Sequence, residues 1–227
     1  MEQSKLRTTA PEAQKTLASL RLTEQLPRNA LSAFLCCFAA GYLAHLFAFT
    51  NIIPNADGLS RVYDTQQMTI AGRWFLHYAS IFNGFLQAPA VIGFFTVLFL
   101  SLSAGLTVSL LQIRSRVLSG MTGVIMAVFP PVAFTLLYLF TSSAYSFGIL
   151  LAVLSVWLTD RTRRFPILGV VLLACAVGTY QAYFAVAAAL ALIRVLLYAL
   201  EADRTARQTL RFALRFLALL LAGLLLS

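Results

Sequence analysis

The chain has 227 residues, of which 60% are hydrophobic and only 11% are charged, whereas soluble domains are about 45–50% apolar and about 25% charged. A soluble fold of this size would need more polar surface, so the composition excludes a soluble protein and indicates an integral membrane protein. The formal net charge is +9, but the arginines stand in short clusters between apolar stretches, which is typical of membrane topology signals and argues against nucleic-acid binding.

The N-terminal region, residues 1–30, is polar and mixed in charge, and the first apolar stretch follows at about 31–53. A secretory signal peptide would place its apolar stretch directly after a short basic start. The sequence therefore predicts a cytoplasmic tail over 1–30 and a transmembrane domain over 31–227 that begins with a retained first span.

The remaining apolar stretches predict six further spans, giving about seven in all. Tandem prolines at Pro130-Pro131 and the polar stretch 141–143 divide a segment that is too long for one span, because proline breaks a helix. The predicted spans are about 31–53, 89–111, 118–137, 143–159, 166–180, 184–200 and 212–227.

Charge predicts the orientation of these spans. With the N-terminus in the cytoplasm, the basic clusters at 114–116, 161–164 and 204–215 all fall on the cytoplasmic side, as the positive-inside rule requires. Arg194 lies near the inner end of its span, where we expect its side chain to extend to the interface. The predicted fold class is an all-α polytopic helical bundle.

The predicted periplasmic loop, residues 54–88, holds two of the eight acidic residues, Asp57 and Asp64, together with Arg61 and Arg73. Apolar residues between 59 and 68 predict a short helix on the bilayer surface, followed by aromatic residues such as Trp74 that suit a membrane interface. This loop is therefore the predicted catalytic loop.

Carboxylates and guanidinium groups at one membrane surface suit the transfer of a group from a lipid phosphate. A carboxylate can accept a proton from a hydroxyl group or bind a metal ion, and arginine can bind a phosphate through two hydrogen bonds. Simpler interpretations stay open: a solvated turn for Asp57, a helix cap or salt bridge for Asp64, and lipid headgroup binding for the arginines.

Three other features are candidates. The predicted turn Thr179-Tyr180-Gln181-Ala182-Tyr183 carries aromatic and amide groups that suit a sugar site, with interface tyrosines as the alternative. The stretch 138–145 has the same two interpretations. His45, in the outer part of the first span, is either a functional residue or a packing histidine.

Three segments, in order, resemble the GtrII glucosyltransferase family of membrane enzymes linked to O-antigen modification. They are Asn55-Ala56-Asp57-Gly58-Leu59, MTIAGRWF over 68–75, and GTYQAY over 178–183. The similarity extends from about residue 31 to the end. Because the family is longer, we expect the chain to be a truncated or N-terminal portion.

The resemblance implies a GT-C-type enzyme of the bacterial inner membrane. It implies a polyprenyl-phosphate-linked glucose as donor and an O-antigen lipopolysaccharide or other surface glycan as acceptor. Asp57 matches the acidic residue that acts as base or metal ligand in GT-C enzymes. A divalent metal is possible, but Asn55 and Ala56 stand where relatives would carry a second acid, which argues against a paired-acid metal site.

Around a catalytic Asp57, we expect a set of substrate-binding residues: Asn55, Arg61, Asp64, Arg73, Trp74, Tyr180, Gln181 and Tyr183. The competing classes are a polytopic transporter or lipid flippase and an inactive membrane scaffold. Polar residues gather at the predicted outer face, while mid-bilayer positions are almost free of charge. This distribution favours surface chemistry over transport.

Overall fold

A computed structural model describes the chain over residues 3–52, 71–83, 88–161, 166–201 and 204–227, with side chains from residue 27 onward except at 166. Every regular element in those ranges is a helix. The prediction of an all-helical membrane protein is confirmed. The predicted interfacial helix between 59 and 68 lies outside the described residues.

The described part of the chain forms nine α-helices and one 3-10 helix. In chain order they are α1 (Gln3–Thr50), α2 (Leu76–Ala79) continued by a 3-10 helix (Ser80–Asn83), α3 (Pro89–Leu110), α4 (Arg116–Val128), α5 (Pro130–Leu137), α6 (Leu139–Arg161), α7 (Pro166–Thr179), α8 (Tyr183–Ala199) and α9 (Ala206–Leu226).

Five helical stretches of the described chain are long and apolar enough to cross a bilayer. They are Pro27–Thr50, Pro89–Leu110, Arg116–Leu137, Leu139–Arg161 and Ala206–Leu226. Two more apolar helices, Ile167–Thr179 and Tyr183–Ala199, are shorter. The number of crossings and the orientation of the chain stay predictions, as do the boundaries of the tail and the transmembrane domain.

The tandem prolines interrupt the third of these stretches. Phe129, between α4 and α5, has φ −59° and ψ 128°, and α5 begins with Pro130 at its first position. A proline there loses no helical hydrogen bond, because the first N–H groups of a helix have no partner within it. The break that the sequence predicts is therefore present.

The second break, at Tyr138, lies in the predicted gap between the spans that end at 137 and begin at 143, but α6 begins directly after it. Tyr138, with φ −101° and ψ 58°, separates α5 from α6, and the polar stretch 141–143 belongs to the first turn of α6. Those residues are buried, since their hydroxyl groups find partners inside the protein. Thr96 on α3 donates to the Ser142 hydroxyl, and Ser143 donates to the side-chain oxygen of Asn83.

Helix α6 lies at the centre and packs against α3, α7 and α8. The largest buried cluster joins α6 to α7, α8 and α9 through residues such as Val156, Leu173 and Phe216. On the other side, α1 packs closely on α3 and α4. A Cβ atom at Gly123 of α4 would lie 2.2 Å from the Ala33 carbonyl oxygen, which shows how small residues let membrane helices approach.

Arg194 is buried inside the protein, and its position relative to the membrane interface stays a prediction. Its Nε lies 2.9 Å from Oδ1 of Asp160, and both side chains are only 8% exposed. The guanidinium also lies over the Phe212 ring at 5.5 Å. Asp160, the penultimate residue of α6, compensates the buried charge, so the arginine is held inside the protein between α6, α8 and α9.

Candidate functional site

The segment before α2 is bound to the turn between α7 and α8. The Phe75 N–H donates to the Gly178 carbonyl at 2.9 Å, and Nε2 of Gln181 donates to the Ala71 carbonyl at 2.9 Å. Gly72 allows the bend in this segment, since its φ of +69° lies in the left-handed region that favours glycine. Two of the segments that resemble the glucosyltransferase family thus meet in space.

Trp74 packs against the end of α7. A Cβ atom at Gly178 would lie 2.5 Å from Nε1 of the indole, so only glycine leaves room for the ring. The indole N–H donates to the Ser227 carbonyl at 2.9 Å. Trp74 and Gln181 therefore brace the segment against its neighbours, and neither lines the cavity described below.

Arg73 lies between these braces and reaches two tyrosines. Its Nη1 donates to the Tyr145 hydroxyl at 3.2 Å, and its guanidinium carbon lies 4.9 Å from the centroid of the Tyr180 ring. Its Nε is buried without a hydrogen-bond partner, and no residue that the structure describes forms an ion pair with it. Because a buried N–H group without a partner is costly, the described residues leave the hydrogen bonding of this guanidinium incomplete.

Three tyrosines continue the site from Arg73. The Tyr145 and Tyr180 rings lie 5.5 Å apart, and those of Tyr180 and Tyr183 lie 5.6 Å apart. Tyr183 begins α8 and is only 9% exposed, and its ring packs where a Cβ atom at Gly148 would stand. The result is a connected aromatic surface with hydroxyl groups next to one guanidinium.

This surface forms one wall of a cavity of about 920 Å³. The opposite wall comes from α4 and α5 and is apolar, with Ile125, Phe129 and Phe134 at 58%, 55% and 65% exposed. Exposed apolar side chains on these helices face lipid in a membrane protein, so the cavity borders the bilayer. The polar groups that line it are Arg73, Thr135, Tyr138, Thr141, Tyr145, Tyr180 and Tyr183.

The structure brings together five of the predicted site residues: Arg73, Trp74, Tyr180, Gln181 and Tyr183. The other four, Asn55, Asp57, Arg61 and Asp64, lie outside the described residues. Tyr145 was not predicted, although it belongs to the polar stretch 138–145. The sequence signal for it is the density of aromatic and hydroxyl residues from Phe129 to Tyr145.

His45 occupies a structural position. Its Nε2 lies 2.9 Å from the Ala127 carbonyl oxygen, and a carbonyl only accepts, so Nε2 donates. In a regular helix, that carbonyl would accept from the N–H four residues later, but that residue is Pro131, which has no N–H. The packing interpretation of His45 is therefore favoured.

A metal site does not emerge from the part of the chain that the structure describes, in which no group of three His, Cys, Asp or Glu residues could hold an ion. The chemistry available there is different. A guanidinium with an unpartnered buried N–H, set among tyrosines at the edge of an apolar cavity, can bind a phosphate that carries an apolar chain.

Comparison with known proteins gives one match. The sequence model of a family described as Glucosyl transferase GtrII matches residues 46–227, which is more than half of the chain and includes the whole site. No curated protein matches the chain, and neither does any solved structure.

Proposed function

The chain belongs to the GtrII glucosyl transferase family, and we propose that it transfers glucose from a polyprenyl-phosphate-linked donor to a surface glycan such as O-antigen lipopolysaccharide. The reaction takes place at the periplasmic face of the bacterial inner membrane, in a GT-C-type arrangement. The observation that carries the proposal is Arg73, whose buried Nε lacks a described partner at the edge of an apolar cavity that borders lipid.

The cavity suits the lipid part of the donor. Its apolar wall on α4 and α5 is continuous with the lipid-facing surface, so an isoprenoid chain could enter sideways without crossing water. Burial of apolar surface in a concave site provides affinity without requiring specific contacts. A volume of about 920 Å³ accommodates a sugar together with the first isoprene units.

Arg73 suits the phosphate. Guanidinium groups bind phosphate oxygens with two hydrogen bonds, and Arg73 keeps Nε for this purpose while Nη1 is bonded to the Tyr145 hydroxyl. In the low-dielectric surroundings of the cavity, the positive charge also stabilises the negative charge that grows on the leaving phosphate. Arg61 is expected to assist from the loop that carries Asp57.

The tyrosines suit the sugar. Tyr145, Tyr180 and Tyr183 offer ring faces for C–H groups and hydroxyl groups for hydrogen bonds. Gln181 and Trp74 hold the Arg73 segment at the required place, through the bond to Ala71 and the contact with Gly178. Asn55 and Asp64 are proposed to bind the acceptor or the donor headgroup.

Asp57 is the proposed general base. Its carboxylate takes the proton from an acceptor hydroxyl as the oxygen attacks the anomeric carbon. The new glycosidic bond forms while the bond from that carbon to the phosphate oxygen breaks, and polyprenyl phosphate leaves with the electron pair. Because the leaving phosphate is already a stable anion, no acid catalyst is needed to protonate it.

The test is glucose transfer from polyprenyl-phosphate glucose to purified O-antigen in membranes that contain this chain. Asp57→Asn should abolish transfer, whereas Glu201→Gln, a matched acid-to-amide change at an exposed residue after α8, should leave it intact. Transfer by Asp57→Asn at the wild-type rate would refute the role of Asp57. Donor binding measured in the same membranes separates the base role from substrate binding, since Asp57→Asn should still bind donor.

A further inference from the structure

The cavity beside Arg73 has a polar end and an apolar end. Thr141, Tyr145 and Ile149 line it at intervals of four positions on α6, so they lie one after another on a single face of that helix. Arg73 bonds to Tyr145 in the middle of this row. Ile149 lies one helical turn further along, about 6 Å from the level of Tyr145. The lining therefore changes from polar to apolar within one turn of α6.

The apolar end is closed by side chains of the packed interior. Ile149 packs against two buried clusters, one that joins α1, α3 and α4 and one that joins α6 to α7, α8 and α9. Leu100 of α3, Met126 of α4 and Val186 of α8 line the cavity beside it and belong to or pack against the same clusters. We call these four residues the cavity floor. Because close-packed interiors leave little room for movement, the floor is a fixed boundary.

Helices α3 and α6 are in contact on both sides of the floor. Thr96 donates to the Ser142 hydroxyl at 3.2 Å, and Nε1 of Trp157 donates to the Ser109 hydroxyl at 3.2 Å. Ile149 lies about midway between Ser142 and Trp157 on α6. An apolar chain that reaches Ile149 therefore cannot continue between the two helices.

The cavity opens sideways beside the floor. Ile125 and Phe129, on either side of Met126 in the sequence, line the same cavity and are 58% and 55% exposed. Exposed apolar side chains on a membrane helix contact lipid tails, which are as apolar as the side chains themselves. A chain that is stopped by the floor can leave past these two residues into the bilayer.

We propose that Ile149 determines which part of the donor lipid the protein recognises, by limiting buried contacts to the phosphate and the first isoprene unit. The inference rests on the proposed function, which provides a prenyl phosphate as ligand. With the phosphate at Arg73, the distance of about 6 Å from the level of Tyr145 to Ile149 fits one isoprene unit. The next unit turns aside along Ile125 and Phe129, and the rest of the chain lies in lipid.

The experiment titrates the purified full chain in detergent micelles with phosphate monoesters and follows their phosphorus NMR signals. The probes are methyl phosphate, dimethylallyl phosphate with one isoprene unit, and geranyl phosphate with two. Each affinity is expressed relative to the wild type for the same ligand, so that partitioning of the longer chain into micelles cancels.

Ile149→Phe raises the floor and should leave methyl phosphate binding unchanged. It should weaken dimethylallyl phosphate and geranyl phosphate equally, by about tenfold, because each CH₂ group that loses its burial accounts for about fourfold in affinity. Unchanged methyl phosphate binding also shows that the variant is folded. An equal loss for methyl phosphate, or a loss confined to geranyl phosphate, would overturn the proposal.

Two further variants test the floor from other directions. Ile193→Phe makes the same change at a 41% exposed residue of α8 that does not line the cavity, and it should leave all three ligands unchanged. Ile149→Ala deepens the cavity, so geranyl phosphate should gain about fourfold over dimethylallyl phosphate relative to the wild type. An unchanged ratio in Ile149→Ala, or an effect of Ile193→Phe as large as that of Ile149→Phe, would contradict the role of Ile149.

The same titration separates this inference from the proposed function. Arg73→Gln should weaken all three ligands at least about tenfold, since they share the phosphate, and binding that is insensitive to Arg73 would contradict both proposals. Binding that depends on Arg73 but not on Ile149 would overturn the inference alone. The expected dependence on Ile149 without any glucose transfer from the complete donor would overturn the proposed function alone.

Discussion

Nη1 of Arg73 donates a hydrogen bond to the Tyr145 hydroxyl at 3.2 Å, across 72 positions of sequence. The bond fixes the segment before α2 to the central helix α6. It also leaves Nε of the same guanidinium without a described partner at the cavity edge. Nη1 of Arg73 thus positions the segment, while Nε is left for a ligand. Mutation of Tyr145 and mutation of Arg73 should therefore have different effects.

Arg73→Gln should lower glucose transfer about 10- to 100-fold, because a hydrogen bond to a charged group contributes about 1.5–3 kcal/mol. Arg73→Lys should recover little, since an ammonium group cannot bond Tyr145 and a phosphate in the same planar geometry. The measurement is kcat/KM for the donor in membranes, with Arg116→Gln on the exposed start of α4 as control. Full activity of Arg73→Lys would show that charge alone suffices.

Tyr145→Phe should raise KM for the donor about tenfold and leave kcat nearly unchanged. The change removes the hydrogen bond from the charged Arg73 guanidinium, worth at least about 1.5 kcal/mol, while the ring that packs on Tyr180 remains. In an Arg73→Gln background the same change should have little further effect, because the bond is already lost. Additive losses in the double variant would mean that Tyr145 acts independently of Arg73.

Gly178→Ala should displace the Arg73 segment, because the new methyl group would lie 2.5 Å from Nε1 of Trp74. We expect a loss of about 1–3 kcal/mol in the free energy of unfolding and a larger loss in activity. Both are measured on detergent-purified protein and in membranes. Trp74→Ala removes the obstructing ring, so Gly178→Ala should cost less stability in that background, and an undiminished cost would contradict the assigned contact.

The class of fold can be predicted from the sequence, because it depends on local features such as apolar stretches and prolines. Spans must be apolar, prolines must interrupt helices, and Phe129 lies where Pro130-Pro131 require a break. The polarity of the stretch 141–143 predicts a break between two spans. Its hydroxyl groups are instead satisfied by Thr96 and Asn83 inside the bundle, and such tertiary partners leave no local pattern.

For the candidate site, too, the sequence identifies the segments but not the contacts between them. The family resemblance singles out the segments 68–75 and 178–183, but neither segment indicates that the Phe75 N–H would bind the Gly178 carbonyl. The pairing of Arg194 with Asp160 was missed because they stand 34 positions apart on different helices. Contacts of this kind depend on helix packing, which a single sequence does not encode in any readable spacing.

Arg194→Leu should destabilise the protein by about 3–5 kcal/mol, because it leaves the Asp160 carboxylate buried without its partner. Combining it with Asp160→Leu should restore much of the loss, since no uncompensated charge remains. Unfolding in detergent provides the measurement. Glu201→Gln, which breaks the more exposed pair with Arg204, is the matched control and should cost less than about 1 kcal/mol.

His45→Leu should lower the free energy of unfolding by about 1–3 kcal/mol, because it leaves the Ala127 carbonyl without a donor inside the bundle. Pro131→Ala should rescue much of that loss by supplying the backbone N–H that proline lacks, provided that α4 and α5 then join in one helix. The double-mutant cycle measured by unfolding in detergent isolates this coupling. Independent effects of the two changes would show that the histidine does not replace the missing N–H. A loss of glucose transfer in His45→Leu without loss of stability would instead indicate that His45 is a functional residue.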